Sequence, residues 1–197
     1  MDQMPYDAMN DRGDEELLLA FAGGDAAAAR ALTGRLGPRV FSHAMRMLGD
    51  RAEAEDVAQD ALLKLWRIAP GWRVGEAKVT TWLYRVTANL CIDRMRKRRN
   101  GPDLDAVPEL ADEAPSAAQR LQQNARAEAL QNALNDLPDR QRQAVILRHI
   151  EGLSNPEIGE IMDIGPRAVE SLTARGKRAL EVILSGRRSE LGYEDDD

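Results

Sequence analysis

A single cysteine, Cys91, excludes an internal disulfide framework and any multi-cysteine metal site. The two histidines, His43 and His149, stand far apart in the sequence, so no His-rich metal centre and no cofactor are expected. Aromatic residues make up only 4%, and a core built on Leu, Ala, Ile and Val suits helices better than sheets. No apolar run approaches the roughly 18 residues of a membrane span. The stretch Met1 to Asp14 is acidic and lacks the apolar segment of a signal peptide. A cytoplasmic location without membrane insertion is therefore expected. Also missing are a phosphate-binding glycine loop, the H-E-x-x-H and C-x-x-C motifs, and a nucleophile beside a plausible base. The chain is not expected to be an enzyme.

Charge is plentiful but unevenly spread. Over 197 residues, 27 Lys and Arg face 33 Asp and Glu, for a net charge of −6. Residues 1–26 carry −6, 100–120 carry −4 and 189–197 carry −5, whereas 81–99 carry +5. The parts with a helical pattern are neutral to basic. This predicts two anion-binding domains, 14–99 and 121–188, joined by an acidic linker over 100–120 and flanked by acidic tails at 1–13 and 189–197. The linker holds Pro102, Pro108 and Pro115 and has no helical or strand period. The fold class expected is all-α, two small helical domains on a flexible acidic linker.

In the first domain, Asp14-Glu15-Glu16 opens a helix with acids in its first turn. A second helix, from Ala26 towards Leu36, is expected to be interrupted by Gly37-Pro38, and a further apolar segment ends at Gly49-Asp50. A helix over Ala52–Ile68 places Val57, Ala61, Leu62, Leu65 and Trp66 on one stripe and Glu53, Glu55, Asp56 and Asp60 on the other face. After the loop Trp72 to Val79, a helix from Thr80 ends in Arg96-Lys97-Arg98-Arg99. Cationic side chains near Trp72, Trp82 and Tyr84 are what single-stranded nucleic acid requires, charge for phosphates and flat faces for unstacked bases. Core packing is the competing reading for Trp82 and Tyr84.

The second domain carries the sharper signal. Ser154-Asn155-Pro156-Glu157 spells a capping box. The short helix after it meets the turn Asp163-Ile164-Gly165, and Pro166 starts another helix. That is a helix-turn-helix, with Gly159 small where the helices approach and Asp163 at a left-handed turn position. Arg167, Glu170, Ser171, Thr173, Arg175, Lys177 and Arg178 lie off the buried stripe of the second helix. The N-terminal half of such a helix can read major-groove base edges, and the later basic residues can hold phosphates.

Three blocks together resemble the extracytoplasmic-function (ECF) sigma factors of bacterial RNA polymerase. They are Asp50–Asp60 running to Leu65-Trp66, Thr81–Val86 through Asn89–Arg94, and Leu137-Pro138 through Gly152-Leu153-Ser154 to Ala179-Leu180. The resemblance implies that Asp56, Gln59, Asp60, Leu63 and Trp66 dock on the polymerase clamp. It implies that Trp72, Arg73, Lys78, Arg85, Asn89, Arg96, Arg98 and Arg99 hold the minus-ten element. The helix-turn-helix residues Arg167, Glu170, Ser171, Thr173, Arg175, Lys177 and Arg178 would read the minus-thirty-five element while their domain sits on the flap. The linker would thread towards the RNA exit path, and an anti-sigma factor would hold the protein inactive. Glu170, Leu172 and Asp163 depart from the residues many relatives carry, so minus-thirty-five specificity does not transfer base by base. An autonomous two-domain regulator is the alternative. A nucleic-acid enzyme would need a metal cluster, for which Glu53, Glu55, Asp56 and Asp60 are the available carboxylates.

Overall fold

The computed structural model describes residues 11–100 and 117–186; the side chains of Asn100 and of residues 117–124 lie outside that description. The tails 1–10 and 187–197 and most of the expected linker therefore fall outside the described residues. Every regular element described is helical. The N-terminal domain consists of α1 (Asp14–Ala22), α2 (Ala26–Leu48), α3 (Arg51–Ile68), a 3-10 turn (Ala69–Gly71) and α4 (Val79–Asn100). The C-terminal domain consists of α5 (Ala117–Asn135), α6 (Asp139–Val145) running into a π-helical turn (Ile146–Ile150), α7 (Asn155–Met162) and α8 (Pro166–Ser185). Helix α5 begins inside the stretch read as linker.

Short polar side chains start these helices. Asp25 accepts from the amides of Ala27 (2.9 Å) and Ala28 (3.3 Å) at the head of α2, and Asp50 accepts from Glu53 N (2.9 Å) at the head of α3. Gly49, at φ 68°, closes α2 in the left-handed conformation. The expected interruption at Gly37-Pro38 does not occur: α2 runs unbroken through Pro38. An interior proline costs a helix about 3 kcal/mol. Against that, Leu32, Leu36, Val40, Ala44 and Met47 form one stripe on α2, each at most 1% exposed. Burial of each large aliphatic side chain contributes about 1.5–3 kcal/mol, so tertiary packing wins.

The N-terminal domain closes a core of its own from Leu17, Leu18, Leu32, Leu36, Leu65 and Leu83. Two further clusters cross between domains. One joins Met47, Leu48, Val57, Cys91 and Met95 to Leu134, Leu137, Val145 and Ile146. The other joins Tyr84 and Ala88 of α4 to Leu147, Ile158, Ile161 and Val169. The domains are packed against each other where α4 meets α7 and where α2 meets α5, α6 and the π-helical turn.

Arg142 lies in that seam, 7% exposed. Its guanidinium donates to Met47 O of α2 (2.6 Å), Asn135 O (2.5 Å) and Leu137 O (3.3 Å). Burial holds its pKa below the usual arginine value, and the acceptors sit at the C-terminal ends of α2 and α5, where helix dipoles favour a cation. Among the described residues, no helix is long and apolar enough to cross a membrane.

Candidate nucleic-acid interface

The acidic face of α3 is open. Asp56, Gln59, Asp60 and Leu63 are exposed on it, Leu63 to 43%. Trp66 is half-buried, its ring 4.8 Å from that of Phe21. Arg94 of α4 reaches across to Asp56 (3.4 Å) and Asp60 (3.8 Å), so part of the face is already neutralised from within the domain. No group of three or more His, Cys, Asp or Glu side chains suited to a metal ion occurs among the described residues.

Of the residues expected at the minus-ten element, Arg85, Asn89, Arg96 and Arg99 line one cleft, and the others have separate partners. Trp72 Nε1 donates to Glu15 Oε1 (3.0 Å), and Gly75 N donates to the same oxygen (3.2 Å). The loop before α4 is thus anchored by a first-turn carboxylate of α1, a role that the sequence pattern of Glu15 did not signal. Trp72 also packs edge-on against Trp82, at 6.3 Å between centroids. Arg73 pairs with Glu76 at 3.2 Å. Arg98 turns inward to Glu53 (2.7 Å), Asp50 (3.6 Å) and Leu48 O (3.2 Å), bracing the α2–α3 corner.

Two more of these residues are engaged by the other domain. Lys78 donates to Glu157 of α7 at 2.7 Å, and Arg99 to Asp139 of α6 at 2.5 Å. The hydrogen bond from Lys78 and those from Ser154 hold the Glu157 carboxyl down at about 2, and the same contact raises the Lys78 ammonium. Arg85, Asn89 and Arg96 face Arg140, Gln143 and Met162 across an interdomain cleft of about 490 Å³. Tyr84, read as a base-stacking or core residue, is core: it is 6% exposed and its hydroxyl donates to Glu151 at 2.5 Å. Burial and that carboxylate push its phenol well above the usual range.

His43 of α2 completes this corner. It is fully buried, its ring meets Tyr84 edge-on at 5.3 Å, and neither nitrogen has a hydrogen-bond partner. Glu151 Oε1 lies 3.9 Å from Nδ1. Burial outweighs that carboxylate and, helped by the charge on Arg46, lowers the imidazole to about 4. The ring is neutral at pH 7.

The helix-turn-helix forms as the sequence spells it. Ser154 Oγ accepts from Glu157 N (3.5 Å) while the Glu157 carboxylate accepts from Ser154 N (2.9 Å), and Asp163 takes the left-handed turn position at φ 53°, ψ 53°. Gly159 serves the turn itself. A Cβ there would stand 2.7 Å from the Ile164 carbonyl oxygen, and Ile164 N donates to Gly159 O at 3.0 Å. A separate close approach, of α8 to α6, falls at Gly176, where a Cβ would meet Val145 Cγ2 at 2.5 Å.

Arg167, Glu170, Arg175, Lys177 and Arg178 are exposed along α8, with Ser171 half-exposed between them. Arg175 donates to Ser171 Oγ at 2.8 Å and Lys177 lies 3.7 Å from Glu181. Thr173 departs from this group: its hydroxyl is buried without a hydrogen-bond partner. It flanks the inward stripe of Val169, Leu172, Gly176 and Leu180, at the helical spacing that turns a side chain towards the core.

Comparison with known proteins agrees with this arrangement. Residues 32–101 match the family Sigma-70 region 2, and residues 127–180 match Sigma-70, region 4. The chain is 35% identical over 156 residues to the ECF RNA polymerase sigma factor SigE of Mycolicibacterium smegmatis, spanning 77% of this chain and 60% of that protein's length. It is 32% identical to the ECF RNA polymerase sigma factor SigW of Bacillus subtilis, over 72% of this chain and 81% of that protein. It is 33% identical to the ECF RNA polymerase sigma factor SigM of Mycobacterium tuberculosis strain H37Rv, over 91% and 88%.

Among solved structures, CnrH in complex with the cytosolic domain of CnrY superposes with a TM-score of 0.68 at 24% identity, covering 89% of this chain and 99% of that one. The sigma factor RpoE of Bartonella quintana, in complex with the anti-sigma factor NepR, gives 0.61 at 23%, covering 78% and 94%. At these identities the likeness establishes the fold. With a region 2 helical core followed by a region 4 helix-turn-helix, the chain belongs to the ECF sigma factors of bacterial RNA polymerase, a family that acts by binding and not by catalysis.

Proposed function

We propose that the protein joins core RNA polymerase in the cytoplasm and directs it to a specific set of promoters. Asp56, Gln59, Asp60 and Leu63 of α3 meet the clamp, with Trp66 supporting the helix from behind. Arg85, Asn89, Arg96, Lys78 and Arg99 hold the melted minus-ten strand, together with Trp72 and Arg73 from the preceding loop. Arg98 contributes through the α2–α3 corner it braces. The C-terminal domain sits on the flap and reads the minus-thirty-five element with Arg167, Glu170, Ser171 and Arg175, while Lys177 and Arg178 hold phosphates. An anti-sigma factor restrains the protein until it is needed. The work is differential binding: capture of unstacked bases offsets an unpairing cost of a few kcal/mol.

The observation that carries this reading is the capped helix-turn-helix, whose second helix presents Arg167, Arg175 and Arg178 uncovered. The test is in vitro transcription with core enzyme over fragments of the source genome, followed by mapping of the starts. Initiation at a small set of sites sharing upstream elements is expected. Tight, salt-dependent binding of promoter duplex by the protein alone, with no effect on core enzyme, would support the autonomous-regulator reading instead.

A further inference from the structure

We propose that Glu15 of α1 is a positioning residue for opening of the minus-ten element: it holds the loop 72–78 in the shape that receives a base leaving the stack. This rests on the assignment of that loop to the minus-ten strand. Glu15 lies outside the stretch 32–101 that matches region 2, so the residue that shapes the loop comes from a helix in front of that region.

Little within the loop fixes its shape. Among the described residues, the contacts inside it are a long hydrogen bond from Glu76 N to Arg73 O (3.4 Å) and an ion pair between the same two residues. Those side chains are 78% and 66% exposed, and a pair so exposed contributes little. Glu15 supplies what the loop lacks. One oxygen, Oε1, accepts from Trp72 Nε1 (3.0 Å) where the loop begins and from Gly75 N (3.2 Å) at its turn. Hydrogen bonds to a carboxylate are roughly twice as strong as neutral ones. Tying two points of the loop to one atom removes freedom that strand capture would otherwise have to remove. Gly75, at φ 83°, can make this turn because it has no Cβ.

The helix that carries Glu15 is itself fixed. Leu17 and Leu18, just after it, are fully buried in the N-terminal core, and Arg35 of α2 donates to Asp14 Oδ1 and Arg12 O, each at 2.8 Å. The loop is thus referred to the domain core at Glu15, and to α4 where Trp72 meets Trp82 edge-on. Between the two anchored points stand Arg73 and Val74, both exposed, Val74 to 64%. A cation beside an apolar side chain suits a phosphate beside an unstacked base. Glu15 hydrogen-bonds to the loop alone, and the clamp-facing Asp56, Gln59, Asp60 and Leu63 are on α3. Its loss should slow strand opening and leave polymerase binding as it was.

The test compares the full chain with Glu15→Gln, Glu15→Asp and Glu15→Ala, each assembled with core enzyme on a promoter that the unmodified protein initiates. Gln keeps the reach and an oxygen acceptor but loses the charge. Asp keeps the charge in the first turn of α1 but withdraws the acceptor by about 1.5 Å, one C–C bond. A fluorescent base analogue in the minus-ten element reads opening. Following it across holoenzyme concentrations separates promoter association from the opening step. Core-enzyme affinity and circular dichroism are measured alongside.

Glu15→Asp and Glu15→Ala should slow the opening step about tenfold, with association, core affinity and helix content unchanged, while Glu15→Gln stays within about threefold of the unmodified protein. Trp72→Phe removes one donor and keeps a ring, so adding Glu15→Asp to it should cost less than Glu15→Asp costs alone. The reverse order, with Asp at the unmodified rate and Gln and Ala both altered, would show that the carboxylate acts through its charge and would overturn the proposal. Equal opening rates throughout would overturn it too. Should Glu15→Ala fail to fold, the Gln and Asp variants decide. An unmodified protein that opens no promoter with core enzyme removes instead the function on which the proposal rests.

Discussion

The two domains are stabilised in different ways. The N-terminal domain encloses its own core, in which Leu17, Leu18, Leu32, Leu36, Leu65 and Leu83 meet without help from the other domain. Among the described residues, each buried cluster of the C-terminal domain also includes N-terminal side chains. Leu134, Leu137, Val145 and Ile146 are buried against Met47, Leu48, Cys91 and Met95, while α8 buries fully only Val169 and Gly176. The N-terminal domain owns its core, whereas the C-terminal domain shares part of its burial with its neighbour. Burial shared across the seam would be lost if the domains separated, whereas the leucine core would be kept.

The largest expected effect tests the self-sufficient half. Leu65→Ala empties a fully buried site in the N-terminal core and should cost about 2–5 kcal/mol by urea unfolding. The loss should be the same whether or not the C-terminal domain is docked; a loss under about 1 kcal/mol would show that this core is not what holds the domain.

Next comes the acid dependence of the seam. His43 is held at about 4 against an ordinary 6.5. The folded state binds the proton less readily than the unfolded one, so the contribution of neutral His43 is fully present above pH 6.5 and is lost as pH falls towards 4. The full swing is about 3 kcal/mol. The groups facing the ring are Glu151 and Tyr84 from the seam and Arg46 on its own helix. In His43→Leu the decline between pH 6.5 and 4 should flatten, while the loss from Glu157, held at about 2 against 4.5, remains at lower pH. An unchanged profile would show that the imidazole binds its proton equally well in the folded and the unfolded protein.

Gly176→Ala should follow, costing about 1–3 kcal/mol by thermal unfolding. The added methyl meets Val145 Cγ2 at 2.5 Å and the Gln141 carbonyl oxygen at 3.2 Å. One neighbour is a rotatable methyl but the other is backbone, so relaxation is only partial. A neutral result would mean that α6 and α8 can slide apart, as expected of a domain whose packing is partly on loan.

Much of this was legible because its signals are local. The capping box, the left-handed Asp163 and the stripe on α3 each depend on residues within a turn or two of one another, and the structure realises all three. What was not legible depends on distance. Pro38 reads as a helix breaker until the buried stripe on both sides of it is known. Arg142 reads as one more surface cation of a mixed-charge helix; only the meeting of two helix ends converts it into a buried donor. Arg98 belongs to a basic run whose pattern suggests a phosphate contact, yet it is satisfied by carboxylates some 45 residues away in sequence. Glu15 and Glu151 act across separations that no periodicity encodes.

The smallest effects lie in the helix-turn-helix, where the structure is most locally determined. Ser154→Ala removes the acceptor for Glu157 N and should cost about 1 kcal/mol. Asp163→Gly should move stability by no more than about 0.5 kcal/mol, because two terms oppose each other. Glycine relieves a left-handed backbone that costs an ordinary residue about 1–2 kcal/mol, less for Asp, but it also widens the unfolded ensemble by about 0.4–1 kcal/mol. Asp163→Val keeps the second term small and enlarges the first, since a branched Cβ fits poorly at φ 53°. It should lose more than the glycine variant gains or loses. Thermal unfolding of the pair gives the answer: equal melting temperatures for Gly and Val would mean that the turn is not held left-handed in solution, and the spacing of α7 and α8 on the major groove would then need another cause.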